Sequence, residues 1–211
     1  MAFIDVISPR QASGRLKKIY QRVQAPDGQV DNVLQVHGLR PHTLEGHMAI
    51  YKAVLHHSSN RLPEWYLEAI GVLVSQLNGC TYCASHHAEG MKRLLTAEAL
   101  ESSAYVQALE ADEPADPFTA REQTGLAYAR KLTQTPGKIS AADINTMRNA
   151  GFDDGEILEI NQVSAYFAYA NRTVSGLGVN TDGEVLGQSP ETGGDDSGWS
   201  HSGGSTAPLK S

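Results

Sequence analysis

Apolar positions along this chain recur at spacings of three and four, and β-branched runs bounded by turn residues are almost absent, which predicts an all-α fold. Arg15 to Val23 forms a first helix and Val33 to His37 a short helical turn. Pro41 to His57 follows, opened by a proline that suits a first helical position, and Asn60 to Leu62 form a loop. From Pro63 to Leu77 the residues Leu67, Ile70, Val74 and Leu77 make an apolar stripe. Asn78-Gly79 ends it, because glycine takes most readily the left-handed conformation that closes a helix, and the chain starts again at about Cys80.

Ala84, Ala88, Met91 and Leu95 continue a second stripe, and Thr96 caps a further helix running to about Leu109. Glu110 to Pro117, with two prolines and four acids, reads as a loop. Helices over Thr119 to Leu132 and Ser140 to Ala150 are separated by Thr135-Pro136-Gly137, and Gly151 to Asp154 turn the chain into a long last helix ending near Gly176. Its stripe of Ile160, Val163, Phe167, Ala170, Val174 and Leu177 calls for a core or a subunit interface. These elements make one helical domain over residues 1–186. The segment 187–211 turns to Gly, Ser, Thr, Asp and Pro and reads as a tail, in which Trp199 is the one large apolar group able to dock on a neighbouring subunit.

Composition narrows the function. A chain of 211 residues with net charge −7 lacks the positive field that nucleic acid or an anionic membrane selects. The start has no basic segment followed by an apolar one, and no stretch approaches the roughly 18 apolar residues of a membrane span, so a cytoplasmic protein is expected. Only two cysteines occur, spaced C-x-x-C, and in a reducing compartment such a pair is more readily redox-active or metal-binding than a structural staple.

Those cysteines, Cys80 and Cys83, fall in the first turn after a helix-ending glycine. Unpaired backbone N–H groups and the positive end of the helix dipole there favour a thiolate, and a lowered pKa at Cys83 is expected. The two lie on one face, within reach of a disulfide if the turn relaxes slightly. His87 stacks four residues after Cys83, where its imidazole can move a thiol proton; His86, three residues after, reaches the same place, and periodicity does not choose between them. Glu68 borders the apolar stripe of the preceding helix and can orient a histidine, although a half-buried Glu paired with Arg or Lys is equally ordinary. Other readings stand beside the redox one: inert core cysteines, or a structural zinc held by the pair and His87, which lacks an evident fourth ligand. His86 is expected in solvent, and His47, His56 and His57 at the surface or in the core rather than as ligands.

The spacing Glu68, eleven residues, then Cys80-x-x-Cys83-x-x-x-His87 resembles the alkylhydroperoxidase AhpD-like proteins of the carboxymuconolactone decarboxylase superfamily, above all their peroxidase-related branch. Ala150-Gly151-Phe152, Glu156 to Ile160, Tyr166-Phe167, Asn171-Arg172 and Gly176 to Val179 extend the resemblance over about Ile4 to Val179. It implies an AhpD-like helical bundle in which Cys83 attacks a hydroperoxide and becomes a sulfenic acid, Cys80 resolves it as a disulfide, and Glu68 with His87 forms the proton relay. It is the resemblance that selects His87 over His86. It further implies an external dithiol reductant, no cofactor or metal, and a homo-oligomer of two, three or six subunits. The well-characterised members carry a histidine between the cysteines where this chain has Tyr82, whose phenol, with a pKa near ~10, relays protons less readily at neutral pH but still donates a hydrogen bond. Tyr82 and His86 are therefore accessory candidates. A thiol-disulfide oxidoreductase or redox sensor using the same pair is the alternative within thiol chemistry.

Overall fold

The computed structural model describes residues 2–25, 28–98, 100–111 and 115–188, and among them the secondary structure is helical, with no strand. In chain order the helices are α1 (Gly14–Val23), α2 (Asn32–Gln35), α3 (Pro41–Leu55), α4 (Glu64–Leu77), α5 (Thr81–Ala97), α6 (Ser102–Glu110), α7 (Ala120–Gln134), α8 (Ala141–Asn149) and α9 (Asp154–Leu177).

Helix α4 sits at the centre. Every residue from Trp65 to Ser75 is buried, as a helix apolar on all sides must be, and α3, α5, α6, α7 and α9 surround it. The main core joins α4 to Met91 and Leu95 of α5, Leu126 and Ala129 of α7, and Ile160, Val163 and Phe167 of α9. A second core, of Leu16, Ile19, Tyr20, Leu34, Leu44 and Met48, packs α1 and α2 on α3. Local chemistry fixes the helix starts that matter most. Thr119 and Glu122 form a reciprocal capping box on α7, and Asp153 and Glu156 form one on α9.

One expectation needs correction. Thr96 does not start a helix: its hydroxyl donates back to the Lys92 carbonyl, which keeps it inside α5, and the break falls a few residues later, where Glu101 caps α6 by accepting from Ser103 N–H. Of the two places expected for the stripe on α9 it takes the core, since Ile160, Val163, Phe167, Ala170 and Val174 are buried within this chain. The expected tail, Trp199 included, lies outside the described residues from position 189 onward.

The α4–α9 crossing is close. The edge of the Phe167 ring meets Gly71, where an added Cβ would stand 2.3 Å from it. Gly71→Ala should therefore cost about 1–3 kcal/mol by overpacking, read as a lower denaturation midpoint. An unchanged midpoint would show that α9 can shift away without penalty.

Candidate active site

The site begins with the turn between α4 and α5. Gly79 adopts a left-handed φ of +69°, the Gly79 N–H donates to Gln76 O at 3.0 Å, and the Cys80 N–H donates to Ser75 O at 2.9 Å. This paired closure reverses the chain within three residues and delivers Cys80 to the N-cap of α5, with Cys83 in its first turn. The sulfurs are 2.9 Å apart, both thiols are free, and each residue is almost fully buried.

A buried pair this close accommodates one negative charge well and two poorly. The hydrogen bond from Cys83 lowers the Cys80 thiol to about 6; the Cys83 backbone N–H and the Ser175 and Asn171 side chains add to it, against the cost of burial. Cys83 is driven up, by its bond to the Cys80 sulfur first, then by burial and by the Cys80 charge. The helix start favours charge at Cys83, but the hydrogen bond between the two sulfurs acts against it there, lowering Cys80 and raising Cys83. Asn171, a residue sequence reasoning did not mark for the site, is held by Asn78 Nδ2 at 2.9 Å and donates to Ser75 at 3.0 Å.

One turn along α5, His87 Nδ1 lies 2.5 Å from Glu68 Oε2. A carboxylate at Nδ1 holds that proton and leaves Nε2 for the pocket. The pairing decides the role of Glu68, buried to 1 % exposure: its partners are imidazoles rather than a surface Arg or Lys. His87 also stands edge-on to Phe167, at 4.5 Å between ring centres. Behind Glu68 lies His56, fully buried, with Nδ1 2.6 Å from Glu64 Oε1 and Nε2 3.8 Å from Glu68 Oε1.

A second polar group closes the other side. After α9 the chain returns across α5, and the Glu184 carboxylate, itself buried, accepts from the Tyr82 hydroxyl at 3.0 Å and from the Asn32 backbone N–H and lies 3.2 Å from His86 Nε2. His86 is consequently buried, contrary to the expectation of a solvated residue. Both accessory candidates meet on Glu184, a carboxylate that no periodic pattern marks, since it lies in the irregular segment beyond the last helix.

Between these groups is a half-open pocket with about 60 Å³ of free volume, room for about four waters. Cys83 lines it, with His87, Tyr82 and His86, whereas Cys80 lies behind. Much of the remaining wall is apolar and aromatic, formed by Val33, Leu34, Tyr51, Tyr166, Phe167 and Ala170, and Asp31, Glu68 and Gln188 add polar groups to it. Burial, with the Glu68 charge nearby, holds the Tyr51 phenol protonated; burial and the Cys83 sulfur do the same for Tyr166. His47, also on the wall, is kept neutral by burial and by the adjacent His37, its pKa lowered to about 3. Among the described residues no group of three or more His, Cys, Asp or Glu is placed to hold a metal ion, and no helix is long and apolar enough to cross a membrane.

No protein-family model matches the sequence, and no curated protein matches it. Solved structures do. An AhpD-core, uncharacterised peroxidase-related protein from Ralstonia eutropha superposes with a TM-score of 0.71 at 23% identity, over 85% of this chain and 91% of that one. An uncharacterised peroxidase-related protein from a Silicibacter species gives 0.67 at 26% identity, over 83% and 86%. The debrominase Bmp8, solved in complex with 2,3,4-tribromopyrrole, gives 0.64 at 16% identity, over 87% and 95%. The chain has an AhpD-like helical fold. Within that class it is similar to the peroxidase-related proteins.

Ultraviolet thiolate absorbance should rise with a midpoint near pH 6 and an amplitude of a single thiolate, and Cys83→Ala should return the midpoint toward the free-thiol value of about 8.5. Two thiolates titrating together would contradict a shared proton. In a second measurement, Glu184→Ala should speed alkylation of Cys83 severalfold by loosening Tyr82 and His86; an unchanged rate would show that the returning segment does not restrict the pocket.

Proposed function

We propose that the protein reduces organic hydroperoxides through a Cys80–Cys83 dithiol-disulfide cycle, and the observation that carries this is the 2.9 Å sulfur pair with only Cys83 on the pocket. The Cys80 thiolate takes the Cys83 proton as the Cys83 sulfur attacks the peroxide oxygen. The O–O bond breaks, Cys83 becomes a sulfenic acid, and the departing alkoxide takes a proton from His87, which Glu68 orients. Cys80, its proton passed to the emptied imidazole, then displaces hydroxide from Cys83 to form the disulfide, and that proton completes water. Two thiols are oxidised and one hydroperoxide becomes alcohol and water. An external dithiol restores the pair.

The aromatic wall suits an alkyl or aryl hydroperoxide better than hydrogen peroxide, since burial of an apolar substituent supplies binding energy. The reading includes a cytoplasmic location, a homo-oligomer of two, three or six subunits, and the terminal segment 187–211 as a tail whose first residues, Gly187 and Gln188, line the pocket. A second reading draws on the same aromatic wall and the debrominase neighbour: a dithiol can remove halogen from an aromatic ring, carbon gaining a proton while the halogen leaves as halide and a disulfide forms.

Turnover of cumene hydroperoxide, hydrogen peroxide and a bromopyrrole, each with a panel of dithiol donors, tests both. Peroxide consumption lost in Cys83→Ser, and slowed about 10²-fold in Glu68→Gln with the fold intact, is expected. Turnover of the bromopyrrole alone would favour the second reading, and turnover of none would remove both.

A further inference from the structure

Glu64 and Glu68 are four residues apart on α4, so both carboxylates project from one face toward the C-terminal end of α3. Two negative charges at that spacing repel, and here one of them is buried to 1 % exposure. His56 stands between them as the C-cap of α3, 2.6 Å from Glu64 Oε1 through Nδ1 and 3.8 Å from Glu68 Oε1 through Nε2. The Tyr51 ring meets its edge at 4.8 Å, which fixes the imidazole plane. His56 Nε2 has no hydrogen-bond partner although it is buried, and the nearby polar atom it faces is the Glu68 oxygen that His87 does not use.

The chemistry of that contact is constrained. A Glu64 carboxylate at Nδ1 holds the Nδ1 proton and stabilises an imidazolium, the way a carboxylate orients a catalytic histidine. His56 Nε2 then faces Glu68 either as a lone pair, which requires a proton on the Glu68 carboxyl, or as an N–H, which requires a Glu68 carboxylate. Closing the 3.8 Å gap by about 1 Å satisfies both buried atoms in either state.

We infer that His56, held by Glu64, is the rear member of the proton relay and stores the proton that leaves the dithiol. The inference rests on the proposed thiol chemistry. When the pair gives up its proton, the S–H bond breaks and the proton passes to His87 at the pocket. The His87 Nδ1 proton moves to Glu68 Oε2 as the proton already on Glu68 Oε1 moves to His56 Nε2. The result is one thiolate and one imidazolium, with Glu64 a carboxylate at the Nδ1 of the cation and Glu68 a neutral carboxyl whose Oε2 proton faces His87, and the reverse passage supplies the proton to the departing alkoxide. His56 touches neither substrate nor sulfur and is therefore a positioning and storage residue acting through Glu68.

His56→Gln keeps an amide N–H toward Glu68 but accepts no proton. In the reduced full-length chain, this variant should raise the midpoint at which thiolate absorbance appears, and its single-turnover oxidation by cumene hydroperoxide should slow about tenfold, with the peroxide concentration for half-maximal rate unchanged. Glu64→Gln should move both readouts the same way by a smaller factor, and its partly exposed position makes it the variant that folds if the buried one does not. Thiolate absorbance and rate equal to the parent's in the folded variants would overturn the inference. A parent with neither thiolate nor turnover would instead remove the thiol chemistry itself, so the two failures are distinguishable.

Discussion

The closure of α4 onto α5 is the constraint from which the site follows. Three residues reverse the chain, and only a residue free to take a positive φ allows the Cys80 N–H to reach back to Ser75. That bond sets where the Cys80 sulfur points, and the first turn of α5 then brings Cys83 to 2.9 Å from it. The same two helices, packed side by side, carry Glu68 and His87 into contact, so dithiol and relay are two products of one helix pair. The remaining elements cover that pair: Phe167 packs on Gly71 and His87, and Asn171 stands beside both sulfurs.

Electrostatics divide the work between the cysteines. Burial alone would hold both thiols protonated, and the helix start alone would favour charge on either. At this separation the first charge is stabilised by the neighbouring S–H and the second is opposed by the first, which lowers the Cys80 thiol and raises that of Cys83. The exposed geometry and the stored charge thus sit on different atoms, and a proton moving between two sulfurs connects them. Glu68, buried among apolar neighbours, has a physical reason to stay within reach of two imidazoles.

Much of this was legible in the chain. The helices that carry the site follow from apolar spacing, proline and glycine, and the interval from Glu68 through the C-x-x-C pair to His87 was enough to name an AhpD-like fold and four residues that the structure brings to one place. What escaped has a common cause: it depends on contacts between elements distant in sequence. Glu184 lies in an irregular segment about a hundred residues beyond Tyr82 and His86, and no local pattern ties it to them. His56 reads as one of several isolated histidines until α3 is laid against α4. The start of α6 misled for a local reason, because a threonine hydroxyl bonds back along its own helix as readily as it caps a new one. The difference between Cys80 and Cys83 comes from the bond between the two sulfurs, which a single-helix argument does not contain.

Exposure of the fully reduced protein to an equimolar organic hydroperoxide, followed by intact-mass and peptide analysis, tests the central claim most directly. Redox work by this pair requires the chain to lose a pair of hydrogens and to yield a Cys80–Cys83 cross-link without retained oxygen. A chain whose mass is unchanged, or one that keeps oxygen on Cys83 and forms no cross-link, contradicts it.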